Sequence, residues 1–148
     1  MTPQERIESD VKTALKAGEK ERLSTLRMLL AEIKNERIRL GRELDEAGFV
    51  AAVRKGIKQR KESAEQFRNG AREESAAKEE REAAILEEYL PQQADEAEIR
   101  AAVERFVADQ GLAGPAAMGR VMAAMIQHFG PRADGATINR IVRRVLTG

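Results

Sequence analysis

The chain has 148 residues, so it holds one ordinary domain or two very small ones. Hydrophobic residues make up 42% of it, charged residues 34% and aromatic residues only 3%, so its core must be aliphatic, which suits helices packed on helices. The net charge of +1 selects no partner, the absence of cysteine excludes disulfides and cysteine-ligated metals, and the single histidine excludes a multi-histidine metal site.

The spacing of apolar residues predicts four helices in residues 1–90. The first begins at Thr2-Pro3-Gln4-Glu5, where Thr2 and Glu5 form a capping box, and it ends or bends at Gly18. The second ends near Gly41 and carries a leucine stripe made of Leu23, Leu26, Leu30 and Ile33, widened by Met28, Leu29, Ile38 and Leu40. The third runs from Asp45 to Asn69-Gly70. The fourth, from about Arg72 to Tyr89, is nearly all alanine and charge in its first half and has little to bury there.

The segment Leu90-Pro91-Gln92-Gln93 interrupts the helical pattern, because proline disfavours helix at the residue before it. We therefore predict a linker at residues 91–94 and three shorter helices in residues 95–148. Asp95 with Glu98 predicts a second capping box, and Asp134 can cap the last helix. The predicted fold is all-α, with an N-terminal helical bundle or hairpin followed by a compact three-helix C-terminal domain.

The middle helix of the predicted C-terminal domain opens at Pro115 and ends at Gly130-Pro131. Met118, Met122 and Met125 share one of its faces, and we interpret this stripe as core filling, although methionine surfaces also serve partner binding. Gly119 within this helix indicates a close approach between two helices, because glycine otherwise destabilises a helix interior.

Charge changes along the chain. From Ile99 onward there are seven arginines against three acids, whereas the rest of the chain has 19 basic and 22 acidic residues. The near-zero total thus conceals a basic tail on a mildly acidic body.

The basic residues of this tail are the primary candidate site. Arg140, Arg143 and Arg144 follow i, i+3, i+4 spacing, so they line one side of the last helix, and only Asp134 is an acid nearby in sequence. Such a ridge suits RNA phosphates, while the alternative is a cationic last turn that complements the helix dipole. The predicted RNA-binding set is Arg120, His128, Arg132, Arg140, Arg143 and Arg144. His128 has its own alternative, a cation at a helix C-terminus.

A secondary basic cluster lies in the third helix and consists of Lys55, Lys58, Arg60 and Lys61. Helical spacing distributes these residues over more than one face, and Glu62 and Glu65 are within reach of Lys58 and Lys61 for i,i+4 ion pairs. A solvated face and a phosphate-binding or acidic-partner surface are both compatible with this pattern.

The sequence predicts no catalytic residues, no metal site and no cofactor. It contains no glycine-rich phosphate loop, and a hydrolytic triad would need His128 together with a serine or threonine inside or beside the predicted helices. No apolar run approaches the roughly 20 residues of a membrane span, and the polar N-terminal segment lacks the apolar region of a secretory signal. We therefore expect a cytoplasmic protein with no membrane partner.

Five stretches in order resemble the YqeY-type family, whose members are small stand-alone relatives of the tail of the GatB subunit of glutamine-dependent aminoacyl-tRNA amidotransferases. They are ERLSTLRMLLAEIKNE (21–36), KQRKESAEQF (58–67), ILEEYLPQQ (85–93), MGRVMAAM (118–125) and ADGATINRIVRRVL (133–146). The resemblance implies an N-terminal helical domain and a C-terminal three-helix domain shared with the amidotransferase tail. The family often has a lysine-rich C-terminal segment, whereas this chain has arginine there, which adds bidentate phosphate contacts.

The amidotransferase tail is associated with holding tRNA, while the kinase and ammonia-transfer chemistry lies in domains that are absent from this sequence. The resemblance thus implies a non-catalytic tRNA-binding accessory protein whose partners are tRNA or the tRNA-amidation or aminoacylation machinery. Two alternatives stay open. One is a protein-interaction module, including a homodimer, and the other is a subunit that contributes to carbon–nitrogen ligase activity only within an amidotransferase assembly.

Overall fold

The structure is a computed structural model that describes residues 1–148, and it confirms the all-α fold class. The α-helices are α1 (Pro3–Ala17), α2 (Lys20–Leu40), α3 (Glu46–Asn69), α4 (Glu73–Glu87), α5 (Glu96–Gln110), α6 (Met118–Phe129) and α7 (Gly135–Thr147), with short 3₁₀ turns at Pro115–Ala117 and Gly130–Arg132. None of the helices has the combination of length and apolar content that crossing a membrane requires. The chain divides into two compact units, Met1–Leu90 and Pro91–Gly148.

Capping side chains begin four of the helices where the sequence predicts them. The Thr2 hydroxyl accepts a hydrogen bond from the Glu5 N–H and the Glu5 carboxylate accepts one from the Thr2 N–H, so the first capping box is confirmed. The helices α3, α5 and α7 are capped by Asp45, Asp95 and Asp134. In the second predicted capping box the Glu98 N–H donates to the Asp95 carboxylate, but the Glu98 carboxylate does not accept from the Asp95 N–H. It pairs with Arg132 instead.

In the N-terminal unit, α1 pairs with α2, α3 pairs with α4, and α2 also packs on both helices of the second pair. The leucine stripe of α2 faces this core, and its most buried members are Leu26, Leu29 and Ile33. The predicted widening of the stripe is wrong for three residues, which are exposed and not part of the core. They are Met28, Ile38 and Leu40.

The α3–α4 hairpin is the most extensive helix pairing in the protein. Ala76 and Ala83 are almost fully buried in it, so the first half of α4 buries more than its composition predicts. Their small side chains allow the two helices to lie close together. The hairpin turns just after Asn69, which confirms the predicted helix end. Ala71 has a φ of 59°, in the left-handed region that favours glycine.

The C-terminal unit packs α5, α6 and α7 around one core, whose most buried residues are Ile99, Val103, Val121, Ile138 and Val142. Met125 is buried in this core and Met118 and Met122 pack against it, so the interpretation of the methionine stripe as core filling is confirmed. The expected close approach at Gly119 is wrong, because this glycine is exposed and a Cβ added to it would meet nothing within 4 Å.

Residues 91–94, predicted as a linker, bond to the 3₁₀ turn that precedes α7. The Ala94 N–H donates to the Arg132 carbonyl oxygen at 2.8 Å, and the Gln93 amide donates to the Pro131 carbonyl oxygen at 3.0 Å. In return, Arg132 Nε donates to the Gln92 carbonyl oxygen at 3.2 Å. These bonds attach the segment to the C-terminal unit and fix the entry into α5.

Candidate nucleic-acid interface

The arginine ridge of α7 is partly neutralised within its own unit. The guanidinium of Arg140 forms an ion pair and a hydrogen bond with the carboxylate of Glu96, in the first turn of α5. The sequence offers only Asp134 as a nearby acid, so it does not predict this partner of Arg140. The acid is 44 residues away in sequence and becomes a neighbour only because α5 packs on α7.

Two further arginines lie close enough to Glu96 to act on its charge. The pKa of Glu96 is lowered first by the hydrogen bond from Arg140, and the positive charges of Arg100 and Arg144 lower it further. Arg100 is four residues from Glu96 on α5 and Arg144 is four residues from Arg140 on α7, so each pair shares a helix face. Arg140 thus contacts the carboxylate of Glu96, and the charges of Arg100 and Arg144 also act on it. We call Arg100, Arg140 and Arg144 the arginine triad.

Arg100 was missed by the sequence reasoning, although its i+4 spacing from Glu96 was a readable signal. Arg143 and Arg144 are both exposed, and neither forms an ion pair or a side-chain hydrogen bond. Arg143 therefore adds a fourth, unpaired charge next to the triad. The surface around Glu96 carries four exposed arginines, and Asp134 adds a second negative charge that acts on Arg140.

Arg132 connects the segment before α5 to the first turn of that helix. Its Nη2 donates to both carboxylate oxygens of Glu98 at 3.0 Å, while its Nε donates to the Gln92 carbonyl oxygen. Its Nε is therefore occupied by the segment that leads into α5, and its Nη2 by the first turn of that helix. Arg132 lies at the same end of α5 as Glu96, but its guanidinium is committed to holding that end in place.

Arg120 and His128 make contacts outside the triad. Arg120 Nη2 donates to the Gln110 side-chain oxygen at 2.6 Å, at the last residue of α5. Glu96 and Gln110 are separated by about 20 Å along the helix axis, so Arg120 is at the opposite end from the triad. His128 is exposed in the last turn of α6, and its ring meets the Phe129 ring edge-on with centroids 4.8 Å apart. The predicted set therefore does not form one site.

The secondary cluster on α3 is not a single surface either. Arg60 is buried in the core-facing side of the helix, and its Nε lies 3.4 Å from a carboxylate oxygen of Glu82 on α4. Its Nη1 donates to the Gly56 carbonyl oxygen at 3.2 Å. Arg60 therefore cannot contact an external phosphate, and the prediction that it belongs to an accessible basic cluster is wrong.

The three lysines of that cluster remain exposed but lie in different surroundings. Lys61 pairs with Glu87 at 3.3 Å rather than with the predicted Glu65, and Lys58 is 4.0 Å from Glu62 as predicted. Lys55 lines a groove of about 550 Å³ between α2 and α3. The interpretation as a solvated, ion-paired face therefore fits Lys58 and Lys61.

The charge contrast between the two parts of the chain is smaller than the sequence count predicts. The unit Pro91–Gly148 has seven arginines and six acids, because the compact unit includes Asp95, Glu96 and Glu98 as well as the residues after Ile99. Two of these added acids pair with Arg132 and Arg140. What distinguishes the C-terminal unit is thus the local arrangement of its arginines and not its net charge.

A family model described as Yqey-like protein matches residues 4–146. The chain belongs to the YqeY family. This match confirms the resemblance that the five sequence stretches carry, and it extends over both compact units.

Three curated relatives of this YqeY-family chain are fungal proteins. It is 37% identical over 112 residues to "Altered inheritance of mitochondria protein 41, mitochondrial" of Lachancea thermotolerans, a match that covers 74% of this chain and 60% of that one. The protein of the same name from Saccharomyces cerevisiae strain YJM789 is 33% identical over 87 residues, covering 58% and 47%. That of Pyrenophora tritici-repentis is 28% identical over 147 residues, covering 95% and 79%.

In the first two matches the chain spans about half to three fifths of the length of the relatives. All three relatives are named as mitochondrial proteins. These names contradict the cytoplasmic location predicted from the sequence. They state no activity, substrate or partner.

Proposed function

We propose that this protein is a non-catalytic accessory protein that binds tRNA, alone or with the tRNA-amidation or aminoacylation machinery, through its C-terminal unit. The observation that carries the proposal is the arginine triad on α5 and α7, with Arg143 beside it. Exposed guanidinium groups bind phosphates bidentately, and several of them within one helix-helix face suit a polyphosphate backbone.

The chemistry of this surface favours recognition of the backbone over recognition of bases. No aromatic side chain is interleaved with Arg140, Arg143 and Arg144 in α7, so the helix offers no stacking platform. Contacts of this kind depend steeply on salt, because each neutralised phosphate releases counterions. The proposal therefore predicts binding guided by the shape and charge of folded RNA.

A salt series of filter-binding measurements with bulk tRNA tests the proposal. We expect the double variant Arg143→Gln/Arg144→Gln to bind more weakly, with a slope of log affinity against log salt that is shallower by about 2, one for each lost phosphate contact. The matched control is Arg27→Gln/Arg42→Gln, which removes the same charge from exposed arginines of the N-terminal unit. Absence of tRNA binding by the unaltered protein at low salt, or equal losses in both doubles, contradicts the proposal.

Self-association is a second candidate function, and the groove between α2 and α3 favours it. The groove is lined by apolar residues, including Leu40, Leu44 and Ala52, and by charged residues of both signs, so two copies of this surface can complement each other. Near the same end of α2, Ile38 is 79% exposed. Sedimentation equilibrium of Leu40→Glu and of Ile38→Glu, with the exposed Leu15→Glu on α1 as control, tests it. A monomeric unaltered protein rules it out.

A further inference from the structure

The first turn of α5 presents an acid to the same guanidinium groups that are proposed to bind RNA. Glu96 and Arg140 are paired across α5 and α7, and their side chains are 57% and 47% exposed. An exposed ion pair contributes little net free energy, because water solvates both partners well when they separate. The pair can therefore open and exchange partners without disturbing the core between the helices.

A glutamate carboxylate and a phosphate present similar faces to arginine. Both offer two oxygens that accept parallel N–H bonds from the planar guanidinium. Glu96 sits where all three triad arginines act on its charge. Arg140 thus already binds a carboxylate oxygen, supplied by its own chain, at the place where an external anion would bind.

We propose that the arginine triad is a binding site for a single RNA backbone phosphate, and that the carboxylate of Glu96 occupies this site until the phosphate displaces it. This inference rests on the proposed function, and it makes Glu96 a residue that limits affinity. Displacement releases Arg140 from its internal pair, and the repelled carboxylate moves into solvent from the exposed first turn of α5. No covalent change is involved.

The variant Glu96→Gln isolates the competing charge. It keeps the size of the side chain, removes its negative charge, and leaves Arg100, Arg140 and Arg144 in place. The control is Asp109→Asn, which makes the same change in net charge at an exposed residue of the same helix. Residues 96 and 109 are about 20 Å apart along the axis of α5, so the control does not touch the triad.

Filter binding of bulk tRNA over a salt series supplies the readout. We expect Glu96→Gln to raise the affinity about threefold at low salt, the size of effect typical of losing one exposed ion pair. Its slope of log affinity against log salt is expected to be steeper by about 1, because one more arginine is free to neutralise a phosphate. Asp109→Asn is expected to keep the slope of the unaltered protein.

A second-site variant ties the gain to the triad. In the background Glu96→Gln, the further change Arg140→Gln is expected to remove both the gain in affinity and the added slope. Circular dichroism and thermal melting of each variant verify that the helices remain folded. Removal of the gain by Arg140→Gln but not by the control change Arg105→Gln, on an exposed arginine of α5, supports the phosphate site.

Two negative results have different meanings. If the unaltered protein binds tRNA and loses affinity in Arg143→Gln/Arg144→Gln, but Glu96→Gln behaves like Asp109→Asn, then Glu96 is no competitor and the inference is overturned while the proposed function stands. If neither the unaltered protein nor Glu96→Gln binds tRNA at low salt, the proposed function fails and the inference fails with it.

Discussion

Each unit of the protein joins two helices with an arginine–glutamate pair, and the two pairs differ in burial. In the N-terminal unit the Arg60 and Glu82 side chains are 7% and 13% exposed, whereas in the C-terminal unit Arg140 and Glu96 are 47% and 57% exposed. The chemistry of the two pairs is the same. Their surroundings make the first a fixed part of the core and leave the second free to exchange its partner for another anion.

The buried pair is also less completely satisfied than the exposed one. The Nε of Arg60 has no hydrogen-bond partner, although Glu82 is within ion-pair distance at 3.4 Å. A buried charge depends strongly on its counter-charge, because the low dielectric of the interior strengthens the attraction and water cannot replace it. The consequence is that substitutions at similar pairs should have very different effects in the two units.

Removing the acid of the buried pair is expected to have the largest effect. We predict that Glu82→Leu lowers the free energy of unfolding by about 3 kcal/mol, because it leaves Arg60 charged inside the α3–α4 interface. Urea unfolding followed by circular dichroism measures this. The control is Glu87→Leu, which breaks the exposed pair with Lys61 on the same helix and should change stability by less than about 1 kcal/mol.

The double variant Arg60→Met/Glu82→Leu sharpens the interpretation of the buried pair. Replacing both partners by apolar residues removes the two paired charges together, so stability is expected to return close to that of the unaltered protein. A double variant as unstable as Glu82→Leu alone would show that lost packing, and not an unpaired guanidinium, causes the destabilisation.

Two helical glycines extend the comparison from charge to packing. A Cβ on Gly56 would lie 3.0 Å from Leu86 Cδ1 and 3.3 Å from Arg60 Nη1, in the interface that holds the buried pair. Gly56→Ala therefore overpacks this interface, and we expect a net loss of about 1 kcal/mol after the helix-propensity gain. Gly119→Ala meets nothing within 4 Å and is expected to gain about 0.5 kcal/mol. Thermal melting of the two variants gives their changes in melting temperature. Equal changes would contradict the close packing at Gly56 and the open surroundings of Gly119.

The helices were predictable from the sequence because their signals are local. Thr2, Asp45, Asp95 and Asp134 cap helices where their side chains can reach backbone N–H groups three residues ahead, and Gly18, Gly41 and Gly111 end helices in the left-handed conformation. The stripe of α2 and the methionine face of α6 follow from helical periodicity. These features depend on residues within one or two turns of each other.

The candidate site was less predictable, because its partners come from distant parts of the chain. Glu96 reaches Arg140 only when α5 packs on α7, and composition cannot reveal that contact. Arg60 is different, since it continues the helical register of the buried Val53, Ile57 and Ala64 and its burial could have been inferred. Gly119 and Gly56 look alike in sequence, and only the neighbours of α3 and α6 distinguish them.

The smallest expected effects concern the pH dependence of one glutamate in each unit. Burial raises the pKa of Glu79 on α4, and repulsion from Glu82 raises it further against the opposing charge of Arg60. A raised pKa in the folded state means that ionisation costs stability, and this cost develops as pH rises through the unfolded value of about 4.3. Glu79→Gln is therefore expected to stabilise the protein at neutral pH and to have no effect near pH 3.

The pKa of Glu96 shifts in the opposite direction, because the hydrogen bond from Arg140 lowers it. A lowered pKa contributes stability above the unfolded value, and this contribution disappears as pH falls through the folded one. Glu96→Gln should thus destabilise slightly at neutral pH and match the unaltered protein in strong acid. Urea unfolding midpoints measured from pH 3 to pH 7 show whether each variant is more or less stable than the unaltered protein. High salt should reduce the stability change of Glu96→Gln more than that of Glu79→Gln, since the ion pair of Glu96 is exposed. Shifts of the same sign at neutral pH would mean that the contrast between the buried and exposed surroundings does not govern these two glutamates.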